Sequence, residues 1–208
     1  MTALRCWSCE AAVEPGAETC PTCGKLQPPR AADYFAYLGI PRTFAVDADR
    51  LSEILRERSR TLHPDRFARA EARERSLSLQ HTTFLNDAVR TLRDPQRRAE
   101  YLLGLHGLKA GANDRERAKV EPAFLMEMME RREELADARA AGDAAKLADI
   151  GAAARAERER LMKEAETKFA AWERAPQDRA PLEAVVSILD KVRYFEQMVA
   201  EAAGQHGH

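Results

Sequence analysis

Beyond residue 30, apolar residues recur at helical spacing along most of the chain. Leu51, Ile54, Leu55 and Leu62 form one stripe, and Leu77, His81, Phe84, Leu85, Ala88 and Leu92 form another. Steps of three and four place each set on one helix face. The first stripe predicts a helix over about 48–62, with Asp47 as its N-cap. The second predicts a longer helix that begins in or after the polar stretch Arg69 to Arg75. Two short helices flank this pair. One runs Tyr34 to Leu38 between Asp33 and Gly39, and the other runs Pro95 to Leu105 between Asp94 and His106-Gly107. The Gly- and charge-rich stretch Lys109 to Lys119 reads as a hinge. Three more helices follow: Pro122 to about Ala140, closed by Gly142; Asp143 to about Arg174; and Pro181 to about Ala203, with Gly204 to His208 as a frayed tail. The last carries a core stripe of Val185, Ile188, Val192, Phe195 and Val199, with Arg193 and an exposed Tyr194 off it. The pattern predicts an all-α protein, a helical hairpin followed by a three-helix bundle.

Between the two hairpin helices lies Arg60-Thr61-Leu62-His63-Pro64-Asp65-Arg66-Phe67. Pro64 disfavours helical geometry at His63 and has no N–H to donate, so the first helix ends there. Asp65 is placed to cap the next segment. Three readings of this exposed turn compete: a plain connection, a catalytic His63/Asp65 pair, and a recognition loop for a protein partner. The catalytic reading lacks a third orienting group and a Gly-rich loop. Asn86 is read either as a polar neighbour of the loop or as plain solvent surface. Arg56 and Arg60 lie one turn apart on the face away from the apolar stripe, where they form a solvated face or receive an acidic partner.

The four cysteines fall in the first 23 residues as C-x2-C-x10-C-x2-C: Cys6, Cys9, Cys20 and Cys23. Paired knuckles aim four thiolates at one tetrahedral ion, and this spacing predicts a single structural zinc with no open coordination position. Disulfides and a redox dithiol are the alternatives, as is direct receipt of an iron-containing cluster. About thirty residues cannot bury enough core to fold alone, so metal would supply the deficit. Trp7 is placed over the knuckles, and Gln27-Pro28-Pro29-Arg30 reads as a stiff linker.

Composition narrows the classes further. The 208 residues include 33 basic and 34 acidic side chains, a formal net charge of −1. Interspersed, balanced charge disfavours a nucleic-acid-wrapping surface, which leaves a zinc-containing nucleic-acid binder as an alternative only. No apolar run reaches membrane-spanning length, and Met1 to Arg5 show no signal or transit pattern. The expected location is cytoplasmic.

The Pro122 helix has more apolar surface than one stripe needs. Phe124, Met128 and Leu135 share a face, while Leu125, Met126 and Met129 lie on another, fringed by Glu130, Glu133 and Asp137. That second face is either a docking patch or buried between neighbours; the pattern alone does not decide.

These residues together resemble the HscB family of J-domain co-chaperones of iron–sulfur cluster biogenesis, over nearly the whole chain. The resemblance is carried by Asp33-Tyr34-Phe35, His63-Pro64-Asp65-Arg66-Phe67, Thr91-Leu92-Arg93-Asp94-Pro95, Arg98-Ala99-Glu100-Tyr101-Leu102-Leu103 and Leu105-His106-Gly107. Phe124-Leu125-Met126-Glu127, Arg132-Glu133-Glu134-Leu135 and Lys191-Val192-Arg193-Tyr194 extend it. It implies a four-cysteine module over 1–30, a J-domain over 31–108 and a scaffold-binding bundle over 115–204. The J-domain would stimulate a DnaK-class (HscA-type) ATPase through His63, Pro64 and Asp65, supported by Arg56, Arg60 and Arg66. The bundle would bind an IscU-type iron–sulfur scaffold through Leu125, Met126, Met129, Glu130, Glu133, Arg193 and Tyr194. No covalent chemistry on this chain is implied; a general J-domain co-chaperone with other clients is the alternative. The four-cysteine segment looks like eukaryotic members, in which case a mature chain would sit in the mitochondrial matrix. Tyr194 stands where members often carry Phe.

Overall fold

A computed structural model describes residues 4–110 and 121–204. Most of the hinge expected over 109–119, and the tail from Gln205 to His208, lie outside the described residues. The chain divides into two compact units, Met1–Asp94 and Pro95–His208.

In the first unit, β1 (Leu4–Arg5) and β2 (Ala12–Val13) pair antiparallel, with Leu4 opposite Val13. α1 spans Tyr34–Leu38; Asp33 accepts from the Ala36 N–H and Gly39 closes the helix at φ 68°. α2 spans Ala48–Leu62, with the Asp47 carboxylate accepting from Asp49 and Arg50 N–H groups. A 3-10 turn, Pro64–Phe67, leads to α3, Ala72–Arg93. α2 and α3 run antiparallel: Ser78 Oγ donates to the Leu62 carbonyl at 2.6 Å, while Arg93 at the far end donates to Ser52 Oγ at 2.9 Å. Leu51, Ile54 and Leu62 of α2 are buried, as are Leu77, His81, Leu85, Ala88, Val89 and Leu92 of α3, with Phe35, Tyr37 and Leu38 of α1. Asn86 is exposed.

The second unit holds α4 (Pro95–Leu105), α5 (Pro122–Ala140), α6 (Ala144–Arg174) and α7 (Ala180–Ala202). Asp143 caps α6 by accepting from Lys146 N–H. α6 and α7 are antiparallel: the start of α6 at Gly151 lies against Ala202, and Arg158 Nε pairs with Glu196 at 3.2 Å. Their shared core is Ala154, Leu161, Ala165 and Phe169 with Leu182, Val185, Leu189, Val192 and Phe195. Met198 is buried where the 3-4 repeat names Val199, which is only half-buried. A straight helix drifts off a strict seven-residue repeat, so the apolar seam shifts by one position near its end. α4 joins this unit through Gln96, whose Nε2 donates to Glu196 at 2.8 Å, and through Glu100, paired with Arg193 at 3.1 Å. Among the described residues, no helix is long and apolar enough to cross a membrane.

Candidate functional site

The two knuckles bring four sulfurs together. All four Sγ atoms lie within 4.8 Å of one another, with Cys6–Cys23 at 3.7 Å and Cys9–Cys20 at 3.6 Å. A tetrahedron of thiolates about 2.3 Å from a central ion has edges of about 3.8 Å, so the arrangement fits one ion. It does not fit disulfides, whose sulfurs would be about 2.05 Å apart. Gly24, at φ 71°, closes the second knuckle, and Glu10 takes the left-handed conformation in the first, at φ 61°. The Ser8 N–H points at Cys6 Sγ at 3.3 Å, and Gln27 Nε2 donates to the same sulfur at 3.4 Å. Such donors stabilise a ligating thiolate from outside the coordination shell.

Two expectations about this segment are corrected. Trp7 does not cover the knuckles. Its ring turns the other way, joining Leu26, Leu62, Leu77 and Phe67 in one cluster, with Nε1 donating to the Leu26 carbonyl at 2.7 Å. Arg73 of α3 stacks over the same ring at 4.7 Å. Nor is Gln27-Pro28-Pro29-Arg30 a free linker, because Gln27 is 4% exposed and its carbonyl accepts from His81 Nε2 at 2.7 Å. With Nε2 donating, His81 Nδ1 accepts from the Tyr37 hydroxyl at 2.9 Å. Burial pushes the His81 pKa down, partly opposed by the Gln27 carbonyl that holds its proton. Lys25 meets Glu71 at 2.9 Å and Glu74 at 3.0 Å, and Glu74 also accepts from the Leu26 N–H at 3.2 Å. Glu18 pairs with Arg58 at 3.3 Å. A segment of this length can hold its shape on a neighbour as well as on metal, and these contacts supply that neighbour.

The His-Pro-Asp turn is exposed. α2 ends at Leu62 and His63 adopts extended geometry (ψ 134°), as a residue before proline should. The cap is not Asp65. His63 Nδ1 lies 3.3 Å from the Asp65 N–H, from which a neutral ring accepts, and 3.4 Å from the Asp65 carboxylate, which is 91% exposed. A neutral imidazole can act as this acceptor, and the carboxylate keeps most of its surface open to a partner. Arg56, Arg60 and Arg66 are all exposed, and none enters an ion pair among the described residues. Glu53, one turn before Arg56 on α2, is taken up by Arg50 at 3.1 Å.

On α5, Met128 and Leu135 are buried, while Met126 is 65% and Met129 63% exposed. Glu130 and Glu133 are exposed beside them and Leu125 is half-buried. The second apolar face therefore stands open among the described residues. Two of the seven residues assigned to this surface are engaged rather than free. Tyr194, expected to be exposed, is half-buried and packs edge-on against Phe124 with centroids 5.6 Å apart, and Arg193 pairs with Glu100. The pattern assigned Phe124 to the core, and Tyr194 completes its ring environment. Arg132, which the pattern did not single out, bonds Gln197 on α7 at 2.9 Å and so borders the same surface.

Residues 120–203 match the family model described as the HSCB C-terminal oligomerisation domain. The human iron-sulfur cluster co-chaperone protein HscB is 33% identical over 198 residues, covering 93% of this chain and 79% of that protein. A co-chaperone protein HscB homolog from Aromatoleum aromaticum is 36% identical over 169 residues, 81% of this chain and 90% of its own length. The crystal structure of human co-chaperone protein HscB superposes with a TM-score of 0.84 at 30% identity, covering 97% of this chain and 98% of that one. Chaperone HscB from Vibrio cholerae gives 0.67 at 32% identity, over 83% and 96%.

Proposed function

This chain belongs to the HscB family, and from that premise we propose that it is an iron–sulfur cluster co-chaperone that carries an IscU-type scaffold to a DnaK-class (HscA-type) ATPase and stimulates hydrolysis there. The observation that carries the reading is an exposed His-Pro-Asp turn in one unit combined with an uncovered Met126/Met129 face in the other. A chain with both can hold client and ATPase in one complex, which raises the client's effective concentration at the chaperone. The open Asp65 carboxylate, with Arg56, Arg60 and Arg66 beside it, would bind the hydrolysing state of the ATPase more tightly and so populate it. Leu125, Met126, Met129, Glu130 and Glu133, bordered by Arg193 and Tyr194, would meet the scaffold. The functional parts are then a J-domain over 31–108 and a scaffold-binding bundle over 115–204. The four thiolates would hold one zinc ion in a structural role, since a closed sulfur site offers no position for substrate. A cytoplasmic or mitochondrial-matrix location fits these partners.

The test is steady-state ATP hydrolysis by the chaperone with wild type, His63→Gln and Asp65→Asn. Stimulation should be lost in both variants, while scaffold affinity, measured separately, stays at wild type. Full stimulation by either variant would sink the assignment of the turn.

A further inference from the structure

We propose that the four-cysteine module braces the His-Pro-Asp turn, with Leu26 and Trp7 as positioning residues for the ATPase contact. The proposal rests on the reading of that turn given above. The turn has little of its own to hold it. None of Pro64 to Phe67 is buried, and its own bonds are few: Arg66 N–H to the His63 carbonyl at 3.0 Å, Ala68 N–H to the Asp65 carbonyl at 3.4 Å, Ala70 N–H to the Phe67 carbonyl at 2.9 Å and the Asp65 N–H to His63 Nδ1 at 3.3 Å. A single 3-10 turn with no fully buried residue is not stable in isolation.

What fixes it lies at its two flanks. Leu62, immediately before the tripeptide, and Phe67, two residues after it, pack in one cluster with Leu26, Trp7 and Leu77. Only Leu77 of the last three comes from the hairpin itself. Leu26 stands three residues past Cys23 and Trp7 one past Cys6, so the knuckles set where both side chains point. Leu26 is 1% exposed; its carbonyl is held by Trp7 Nε1 and its N–H by Glu74, and its neighbours are held opposite Thr19 by Cys20 N–H to the Lys25 carbonyl and Gln27 N–H to the Glu18 carbonyl. Lys25 ties the same strand to the first turn of α3 through Glu71 and Glu74. The module therefore forms a fixed floor under both ends of the turn, and the α2–α3 hairpin is incomplete at this end without it.

The physical consequence is a population effect. With the floor removed, the turn would sample other shapes, and the apparent affinity for the ATPase would fall by the fraction of time spent outside the competent one. The maximal stimulation would not change, because the competent turn is chemically the same.

The experiment uses the full, metal-loaded chain and compares wild type with Leu26→Ala and Leu26→Met. Three quantities are read: 15N order parameters of Asp65, Arg66 and Phe67; the co-chaperone concentration giving half-maximal stimulation of a DnaK-class ATPase; and bound metal per chain. For Leu26→Ala, metal should stay bound and the order parameters should fall from about 0.85 to below about 0.6. The half-maximal concentration should rise about tenfold at unchanged maximal stimulation, as expected when the competent fraction drops to about a tenth. Leu26→Met should restore both. Should Leu26→Ala fail to fold, Trp7→Phe, which keeps an aromatic ring but loses the bond to the Leu26 carbonyl, decides on the same readouts. Wild-type order parameters together with a wild-type half-maximal concentration in a metal-loaded variant would overturn the proposal. So would loss of order spread evenly over α2 and α3, which marks general destabilisation. If His63→Gln stimulated normally, the ATPase reading would fall, but the order parameters would still decide whether the module braces the turn.

Discussion

The exposed face of α5 gives a prediction that can be worked through in free energy. Met126 and Met129 are 65% and 63% exposed and one turn apart, on a helix whose core contacts are made by other residues. Burying a whole methionine side chain from water contributes about 1.5–3 kcal/mol. Roughly two-thirds of each remains available to a partner, and truncation to alanine leaves the Cβ, so each change should cost about 1–1.5 kcal/mol of scaffold binding. The double variant Met126→Ala/Met129→Ala should lose about 2–3 kcal/mol, or about 30–150-fold in Kd, with some coupling because the two are neighbours. Alanine is at least as good a helix former as methionine and neither side chain is in the core, so stability should stay within about 0.5 kcal/mol. Titration calorimetry against an IscU-type scaffold measures the affinity, and a less negative heat-capacity change on binding would identify the loss as apolar burial. A double variant that folds normally and binds with wild-type Kd would show that the scaffold does not dock here.

Elemental analysis of the purified chain should find one zinc per molecule. Chelation or Cys9→Ser should unfold the module at a free-energy cost of the order of 10 kcal/mol, without changing scaffold affinity; iron at one per chain would refute the zinc assignment. Arg56→Glu/Arg60→Glu should slow association with the ATPase by about tenfold at low salt, converging on wild type near 1 M, where the screening length is about 3 Å; a salt-independent defect would mean these arginines act otherwise. His81 gives a pH signature. Its folded pKa is lowered by burial, so above the unfolded value of about 6.5 both states are neutral and the stability is fully present. As pH falls below about 6.5 the unfolded state alone takes up the proton, and stability should decline by up to about 1.4 kcal/mol per pH unit from this group until the folded pKa is reached. Denaturant midpoints of wild type minus those of His81→Gln, measured from pH 7.5 to 5, should show that slope, and a flat difference would refute it.

Element ends were the most legible part of the chain, because caps are local chemistry. Asp47, Asp143 and Gly39 act within four residues of themselves, and each sits where the sequence puts it. Partners distant along the chain were not legible. His81 falls on an apolar stripe and reads as core, and so it is, but nothing near it names Gln27, 54 residues away, as the acceptor for its ring. Trp7 and Leu26 likewise meet residues tens of positions on, which no periodicity encodes. The bounds of α4 were evident from Pro95 and Gly107, whereas its packing on α6 and α7 depends on Gln96 finding Arg158 and Glu196 and on Glu100 finding Arg193. The open methionine face was readable only as a surplus, since a 3.6-residue period counts faces without saying which are covered.

The opening ambiguity of the His-Pro-Asp turn resolves into a division of labour. A catalytic pair would need His63 and Asp65 to present their reactive atoms to one point. His63 Nδ1 lies 3.3 Å from the Asp65 backbone N–H and 3.4 Å from its carboxylate, so the pair is turned on itself within the loop and not toward a common outside point. Pro64 fixes the backbone, and Asp65 extends its charge into solvent next to the exposed Arg66. An acceptor that holds a turn, a ring that stiffens it and an acid that faces outward suit the recognition role proposed for this loop. Pre-organisation matters most when the contact is small, because there is little binding energy from which to order a loop. On that argument the buried Leu26 and half-buried Trp7 of the cysteine-held segment, packed with the residues flanking this turn, would bear on function as well as on stability.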